Sequence, residues 1–307
     1  MKHFLDLASW DSREVRHLLD VAVHLKREWQ TGGNRPILQN KILGMIFQKP
    51  SLRTRVSFAV AMQHLGGTSL ILGPDEIGLG KRESIPDVSR VLSSYVDIIM
   101  ARVFDHAHVT ELAEWSRVPV INGLSDDYHP CQAMADMLTI YEHFGRLEGI
   151  KVAYVGDGNN VAASLLYACS HFGCDFAIAT PEGYELPQSV RDIAAPMVEK
   201  RGISVTESVH IDPAIEGADV LYTDTWISMG QEDEAAERRA TFDGYQINDE
   251  LLEKTGKASI VLHCLPAHRG EEITDDVMDG SQSAVFQQAE NRLHAQKAIL
   301  VHLLADK

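Results

Sequence analysis

Short apolar runs alternate with amphipathic stretches along the chain, the pattern of strands that alternate with helices in an α/β protein. The apolar runs predict strands at Ile42–Gln48, Ser69–Leu72, Asp97–Ala101 and Val118–Asn122 in the first half. In the second half they predict Lys151–Val155, Phe176–Thr180, Ser204–Thr206, Val220–Thr223 and Ile260–Leu262. Helical spacing marks Thr54–Leu65, stopped by Gly66-Gly67, then Pro86–Ser94, Pro130–Phe144 with proline in its first turn, and a long tail helix at Phe286–Leu304. Gly73–Glu83, rich in glycine and charge, predicts an exposed loop, and the charge run Gln231–Arg239 predicts a solvated, mobile segment. A new strand–helix series starts just after Arg146–Gly149, which makes that stretch the best domain boundary. The expected fold class is α/β, with two domains, each an open, mostly parallel sheet with helices on both faces. In such folds the ligand site lies at the C-terminal ends of strands, here expected between the domains.

The 307 residues suffice for two domains of about 150 each, and 45% apolar content fits packed cores. A formal charge of −16 argues against bulk-charge binding to nucleic acid or a membrane surface. Any anionic ligand therefore needs a local cationic pocket. Cys131, Cys169, Cys174 and Cys264 form no C-x-x-C pair, so no structural zinc site is expected, and scattered thiols suit a reducing compartment. The start of the chain lacks a basic segment followed by an apolar run, and no stretch reaches the roughly 20 apolar residues that span a bilayer. A cytoplasmic location is expected.

The strongest local chemistry lies at Ser51-Leu-Arg53-Thr54-Arg55, between a strand and a helix. Ser51, Arg53 and Thr54 fall at the helix N-terminus, where backbone N–H groups and the positive dipole end favour an anion. Arginine adds a planar fork for phosphate. The plainer reading of the same residues is a helix cap with solvated arginines. The segment is not a P-loop, since G-x-x-x-x-G-K-[ST] is absent. Arg102 ends a predicted strand and His129 precedes Pro130; both can donate to a carbonyl oxygen that becomes negative during attack. Gly156-Asp-Gly158-Asn-Asn-Val161 follows a strand as a dinucleotide turn would, but the third glycine is missing and Thr180-Pro181 stands where an acidic residue is expected. A dinucleotide-dependent oxidoreductase and a non-catalytic anion-binding module are the rival readings at this point.

Five segments in order, Ser51-Leu-Arg-Thr-Arg55, His129-Pro-Cys-Gln132, Asp157-Gly-Asn-Asn160, Asp224-Thr-Trp-Ile-Ser-Met-Gly-Gln231 and His263-Cys-Leu-Pro266, with Ala289-Glu-Asn-Arg292 near the end, resemble the ornithine carbamoyltransferase family over essentially the whole chain. The resemblance implies a carbamoyl-phosphate-binding domain at residues 1–148, an ornithine-binding domain at residues 149–285, and a C-terminal helix, 286–307, that packs back on the first. It implies carbamoyl transfer from carbamoyl phosphate to the δ-amine of L-ornithine by direct attack, giving citrulline and phosphate, as in arginine biosynthesis. No cofactor and no metal are implied, nor any nucleic-acid or membrane partner. A homotrimer with sites at subunit interfaces is implied, and the Leu79–Glu83 loop resembles the one lent across that interface.

Carried onto this sequence, Ser51, Arg53, Thr54 and the backbone N–H of Leu52 would hold phosphate. Arg102, His129, Gln132, Arg292 and the carbonyls of Cys264 and Leu265 would hold the carbamoyl part. Asn160, Asp224, Ser228 and the backbone of Met229 would grip the α-amino and α-carboxylate groups of ornithine. Arg102, His129, Thr54 and Cys264 would act on the reacting atoms. Leu52 stands where threonine is common in the family, a change that leaves the backbone donor in place. A nucleophilic Cys264 with His263 as base is disfavoured, because neighbours on a strand face opposite ways, and a metal site of His263, Cys264 and His268 fits no standard zinc spacing. Aspartate, putrescine and N-acylated ornithine are the alternative acceptors. Asp224 favours free ornithine, whose α-ammonium needs a carboxylate.

Overall fold

A computed structural model describes residues 2–228 and 230–305, which fall into two compact units: Met1–Leu138 with Glu290–Lys307, and Thr139–Ala289. The first unit opens with a helix that the sequence reading did not assign, α1 (Ser12–Gly32). Its signals are ordinary ones. The Asp11 side chain caps it by accepting from the Arg13 N–H at 2.8 Å, and Val15, Leu18, Leu19, Ala22 and Leu25 form one buried stripe. Then follow β1 (Ile42–Phe47), α2 (Leu52–His64), β2 (Thr68–Leu72), α3 (Pro74–Ile77), α4 (Ile85–Leu92), β3 (Ile98–Arg102), α5 (His106–Trp115), β4 (Val120–Leu124) and α6 (Pro130–Phe144). The strands pair in parallel in the order β2-β1-β3-β4. The central strands β1 and β3 are almost wholly buried, which explains their unbroken apolar runs, while the edge strand β2 is largely open.

The second unit continues with β5 (Lys151–Val155), α7 (Asn160–Phe172), β6 (Asp175–Ala179), α8 (Gln188–Arg201), β7 (Val205–Ser208), α9 (Ile211–Ile215) and β8 (Val220–Thr223). A 3₁₀ turn (Glu232–Glu234), α10 (Ala235–Thr241), α11 (Asp249–Lys254), β9 (Ile260–His263), α12 (Asp275–Asp279) and α13 (Val285–Leu304) complete the chain. Its parallel sheet runs β7-β6-β5-β8-β9, and Ala153, Val155, Leu221 and Val261 from β5, β8 and β9 pack with Ile215, Ile273 and Val277 from the flanking segments. Each sheet reverses its strand order once, between β1 and β3 in the first unit and between β5 and β8 in the second. Connections diverge at such a point, so a crevice opens at the carboxyl ends of the two strands.

Two expectations require correction in part. Gly73–Glu83 is not loop throughout: it contains α3, and Leu79 is buried beneath a bridge to Glu83. The charge run Gln231–Arg239 is exposed along most of its length, as expected, but one member of it, Arg238, is buried. The run winds into the 3₁₀ turn and α10, because one helical face can bury Arg238 while Glu237 and Arg239 stay outside. Among the described residues no helix is long and apolar enough to cross a membrane.

Candidate active site

In the first unit the chain leaves β1 through Gln48-Lys49-Pro50 and enters α2 at Ser51, an extended residue whose hydroxyl accepts from the Thr54 N–H at 3.1 Å. The first N–H groups of a helix have no intrahelical acceptor; Ser51 takes the one at Thr54, and those of Leu52 and Arg53 precede it at the dipole's positive end. The Leu52 side chain itself points outward and is 73% exposed, so any contribution to a ligand is through its backbone. Arg102, the last residue of β3, lies opposite Phe47 across the switch point and is buried. The Gln48 N–H donates to the Arg102 carbonyl at 2.8 Å, and the Gln48 side chain accepts from the Phe104 N–H at 3.0 Å, so the two strand ends are tied together. The buried Lys49 ammonium lies 2.5 Å from Asp126 and 4.3 Å above the Phe104 ring.

His129 arrives at the same place on a shaped turn. The Ser125 N–H donates to the Tyr128 carbonyl at 2.9 Å, and the Asn122 amide donates to the Leu5 carbonyl at 2.9 Å and to the Ser125 hydroxyl at 3.1 Å. Pro130 then opens α6 with its φ already helical. Arg292, on α13, joins the cluster: one Nη donates to Gln132 Oε1 at 2.8 Å and reaches His129 Nε2 at 3.5 Å, and the other donates to Thr54 Oγ1 at 3.3 Å. The Gln132 amide in turn donates to Asp136 at 2.8 Å. Thr54, His129, Gln132 and Arg292 are thus buried together, and Arg53 and Arg102 lie near enough to act on His129 electrostatically. Burial first, and then the Arg292, Arg102 and Arg53 charges, hold the His129 imidazole well below the usual histidine range. His129 is therefore neutral near pH 7.

The second unit builds its site at its own switch point. β5 ends at Val155, and the chain turns through Asp157-Gly158-Asn159 into α7. Gly158 is required there, since a Cβ would lie 2.5 Å from the Glu185 carbonyl carbon. Asn159 caps α7, its Oδ1 accepting from the N–H groups of Val161 (2.9 Å) and Ala162 (3.2 Å). Its amide N donates to Asp224 Oδ2 at 2.9 Å. Asp224 follows β8, and its other oxygen accepts from the Thr225 N–H at 2.8 Å and the Cys264 thiol at 2.9 Å. Among the described residues these three neutral donors are its hydrogen-bond partners, so its negative charge is held in place but not neutralised.

Cys264 lies just past the end of β9, and this corrects the strand-alternation argument. The strand stops at His263, Leu265 takes a left-handed φ of 61°, and ligand-capable atoms of Asp224, His263 and Cys264 all fall within 4.8 Å of one another. The chemical outcome still excludes His263 as a base for the thiol. His263 Nδ1 accepts from the Leu265 N–H at 2.8 Å, which puts the proton on Nε2, where it donates to the buried Glu272 at 2.9 Å. Both ring nitrogens are occupied. A left-handed non-glycine residue costs about 1–3 kcal/mol and persists where the surroundings over-determine it; Leu265 is such a residue, two positions past the end of the strand. A second potential metal-ligand group, His268, Glu271 and Glu272, stands nearby, with His268 Nδ1 2.8 Å from the Thr225 hydroxyl and Glu271 paired to Arg239.

Asn160 is the first residue of α7 and half-buried; Ser228 is half-buried and its N–H donates to the Gln231 side chain at 3.0 Å. Met229 lies outside the described residues. The dinucleotide reading loses its main support, because Asn159 already occupies the α7 N–H groups that would face a pyrophosphate. Sequence reasoning missed Asn159 as the partner of Asp224, although a residue just ahead of an apolar helix is where a capping asparagine belongs.

Two family models match the chain in tandem: the aspartate/ornithine carbamoyltransferase carbamoyl-P binding domain over residues 2–142, and the Asp/Orn binding domain of the same family over residues 148–303. The chain belongs to the aspartate/ornithine carbamoyltransferase family. Among its relatives, the ornithine carbamoyltransferase of Anoxybacillus flavithermus is 51% identical over 303 residues, 99% of this chain and 96% of that protein. The anabolic ornithine carbamoyltransferase of Pyrococcus furiosus is 52% identical over 97% of this chain and 95% of that protein. The solved structure of the Pyrococcus furiosus ornithine carbamoyltransferase superimposes with a TM-score of 0.97 at 50% identity, covering 100% of this chain and 98% of that one. Within this family frame, the arginine–histidine cluster falls in the stretch matched by the carbamoyl-P binding model, Arg292 excepted, and the Asp224 cluster in the stretch matched by the Asp/Orn binding model.

Proposed function

We propose that this chain transfers the carbamoyl group of carbamoyl phosphate to the δ-amine of L-ornithine, forming L-citrulline and phosphate in the anabolic direction. The phosphate sits at the α2 N-terminus with Ser51, the Leu52 N–H, Arg53 and Thr54. The carbamoyl group faces Arg102, His129, Gln132 and Arg292, with the Cys264 and Leu265 carbonyls accepting from its NH₂. Ornithine is held by Asn160, Asp224, Ser228 and the Met229 backbone.

The chemistry follows from these partners. The attacking amine must be neutral, and a lysine-like amine has pKa about 10.4, so the free base near pH 8 costs roughly 3 kcal/mol. Asp224 pairs with the α-ammonium and leaves the δ-amine free to lose its proton; Cys264 orients that amine. Nitrogen attacks the carbonyl carbon, and the oxygen becomes an oxyanion beside Arg102, Thr54 and the neutral His129. Collapse breaks the carbon–oxygen bond to phosphate. The proton leaving nitrogen passes to the phosphate, so the products are a ureido group and hydrogen phosphate.

The observation that carries the acceptor choice is the Asp224 carboxylate, fixed by three neutral donors and able to meet a cation. An acylated α-nitrogen has no charge to offer it. Putrescine has no α-carboxylate for Asn160 and Ser228. A homotrimer and a cytoplasmic location belong to the same reading. Leu52 and Val56 on α2 and Leu70 and Ile71 on β2 are exposed apolar side chains on elements of one unit, as a subunit interface requires. All four cysteines are free and buried, which suits a reducing compartment. The test is product formation with carbamoyl phosphate and a panel of ornithine, N-acetylornithine, putrescine and aspartate. Turnover restricted to ornithine is expected; faster turnover of another amine would replace this reading.

A further inference from the structure

The guanidinium of Arg238 is nearly fully buried in a helix whose neighbouring charges are exposed. Burying an arginine is costly unless its five N–H donors find acceptors. Arg238 Nε donates to the Trp226 carbonyl at 2.5 Å, and Nη2 forms an ion pair with Asp157. The guanidinium carbon lies 4.9 Å from the Tyr184 ring centroid and 5.5 Å from that of Phe242, and Phe242 stacks in turn on Trp226. The exposed Glu234, one turn earlier, stands 3.7 Å away.

The two strong partners are not arbitrary points of the fold. Trp226 lies midway between Asp224 and Ser228, and Asp157 lies two residues before Asn159, which holds Asp224. One guanidinium therefore grips both segments that carry the amino-acid half-site. The sheet does not depend on this grip, because β5 and β8 both end before the residues it holds. We propose that Arg238 is a positioning residue for the acceptor amino acid, clamping the Asp157–Asn160 turn and the Asp224–Ser228 segment into one binding geometry without touching the reacting atoms. The proposal rests on the assignment of the Asp224 segment to ornithine.

The clamp also carries a pH signature. Burial pushes the Asp157 carboxyl up to about 6 against the opposing pull of Arg238, and Asp224, Glu234 and the buried Tyr154 are the other titratable groups that face it. Asp157 is ionised at neutral pH and protonates as pH falls through about 6, at which point the ion pair with Arg238 is lost.

The experiment measures KM for both substrates and kcat in Arg238→Gln and Arg238→Lys, with Asp224→Ala as the control for the site itself. Losing two charge-assisted bonds at the clamp is expected to raise the ornithine KM about 30-fold in Arg238→Gln while the carbamoyl phosphate KM stays put. Arg238→Lys keeps the charge for Asp157 but not the two-point grip, so it should recover part of the loss. Equal changes in both KM values, or an unchanged ornithine KM, would overturn the proposal. Should Arg238→Gln fail to fold, Asp157→Asn takes its place. Inhibition by L-norvaline, which has the α-groups but no reacting amine, should weaken below about pH 6 in the wild type and lose that limb in Asp157→Asn. An identical limb in both proteins would likewise overturn it. If Asp224→Ala leaves the ornithine KM unchanged, the assignment of the site fails; if only Asp224→Ala raises it, the site stands and the clamp alone is wrong.

Discussion

The two half-sites solve opposite electrostatic problems with different materials. On the proposed reading the first unit receives a doubly charged phosphate, and it gathers Arg53, Arg102 and Arg292 near a histidine that burial, and then those same charges, keep neutral. Its groups stand on helix starts and strand ends and lock one another: Arg292 alone spans Thr54, His129 and Gln132. On the same reading the second unit receives a cation, and it fixes one carboxylate with an amide, a backbone N–H and a thiol, none of which cancels its charge. Both sit where strand order reverses. The lesson is that the switch point supplies a location, while sign and specificity come from what surrounds it.

Removing Arg292 should break the comparison hardest. Arg292→Met keeps side-chain volume but strips a charged donor from an anion site, and the loss in kcat/KM for carbamoyl phosphate should approach a thousandfold, about 4 kcal/mol. The ornithine KM should not follow; a parallel rise would mean that the half-sites are not separate in function. His129 gives the next effect. Turnover in His129→Ala should fall about a hundredfold, roughly 3 kcal/mol, with melting behaviour near that of the wild type. Because its imidazole is already neutral, kcat/KM for carbamoyl phosphate should show no limb from His129 near pH 6.5. The linkage has a definite sign. The unfolded histidine takes up a proton more readily than the folded one, so the His129 contribution costs no stability above about pH 6.5 and increasingly destabilises the fold as pH falls below it. His129→Gln should flatten that part of the stability–pH curve; an unaltered slope would place a charged imidazole in the site. Cys264→Ser should be the mildest change, since a hydroxyl can still donate to Asp224, and a loss of about tenfold or less in turnover is expected. A far larger loss with a trappable acyl-enzyme would restore Cys264 as a nucleophile.

Much of the fold is legible in the chain because the strands are central and parallel: Lys151–Val155 and Val220–Thr223 are mostly apolar segments whose ends coincide with the observed strands. Pro130 likewise marks the start of α6. The N-terminal helix α1 was not assigned from the sequence, although Asp11 as its cap and the apolar stripe after it mark it. Of the candidate site, the helix start at Ser51 was legible because a capping serine ahead of a helical pattern is a local signal. Whether His129 was neutral was not, since that depends on its burial and then on Arg292, which is 163 residues away in sequence. Arg238 was hidden for the same reason. In a run of charges, composition points to solvent, and nothing local reveals that one member has a partner 81 residues upstream. Asn159 and Asn160 stand side by side, and only the turn decides which of them reaches Asp224.

The most direct test of the account is a pair of initial-rate measurements on Arg53→Ala and Asp224→Ala, with KM determined for both substrates in each. The account predicts a crossed result: Arg53→Ala raises the carbamoyl phosphate KM and spares that of ornithine, and Asp224→Ala does the reverse. If either variant shifts both constants together, or if Asp224→Ala leaves the ornithine KM where it was, the division of labour between an anion half-site and an amino-acid half-site is contradicted.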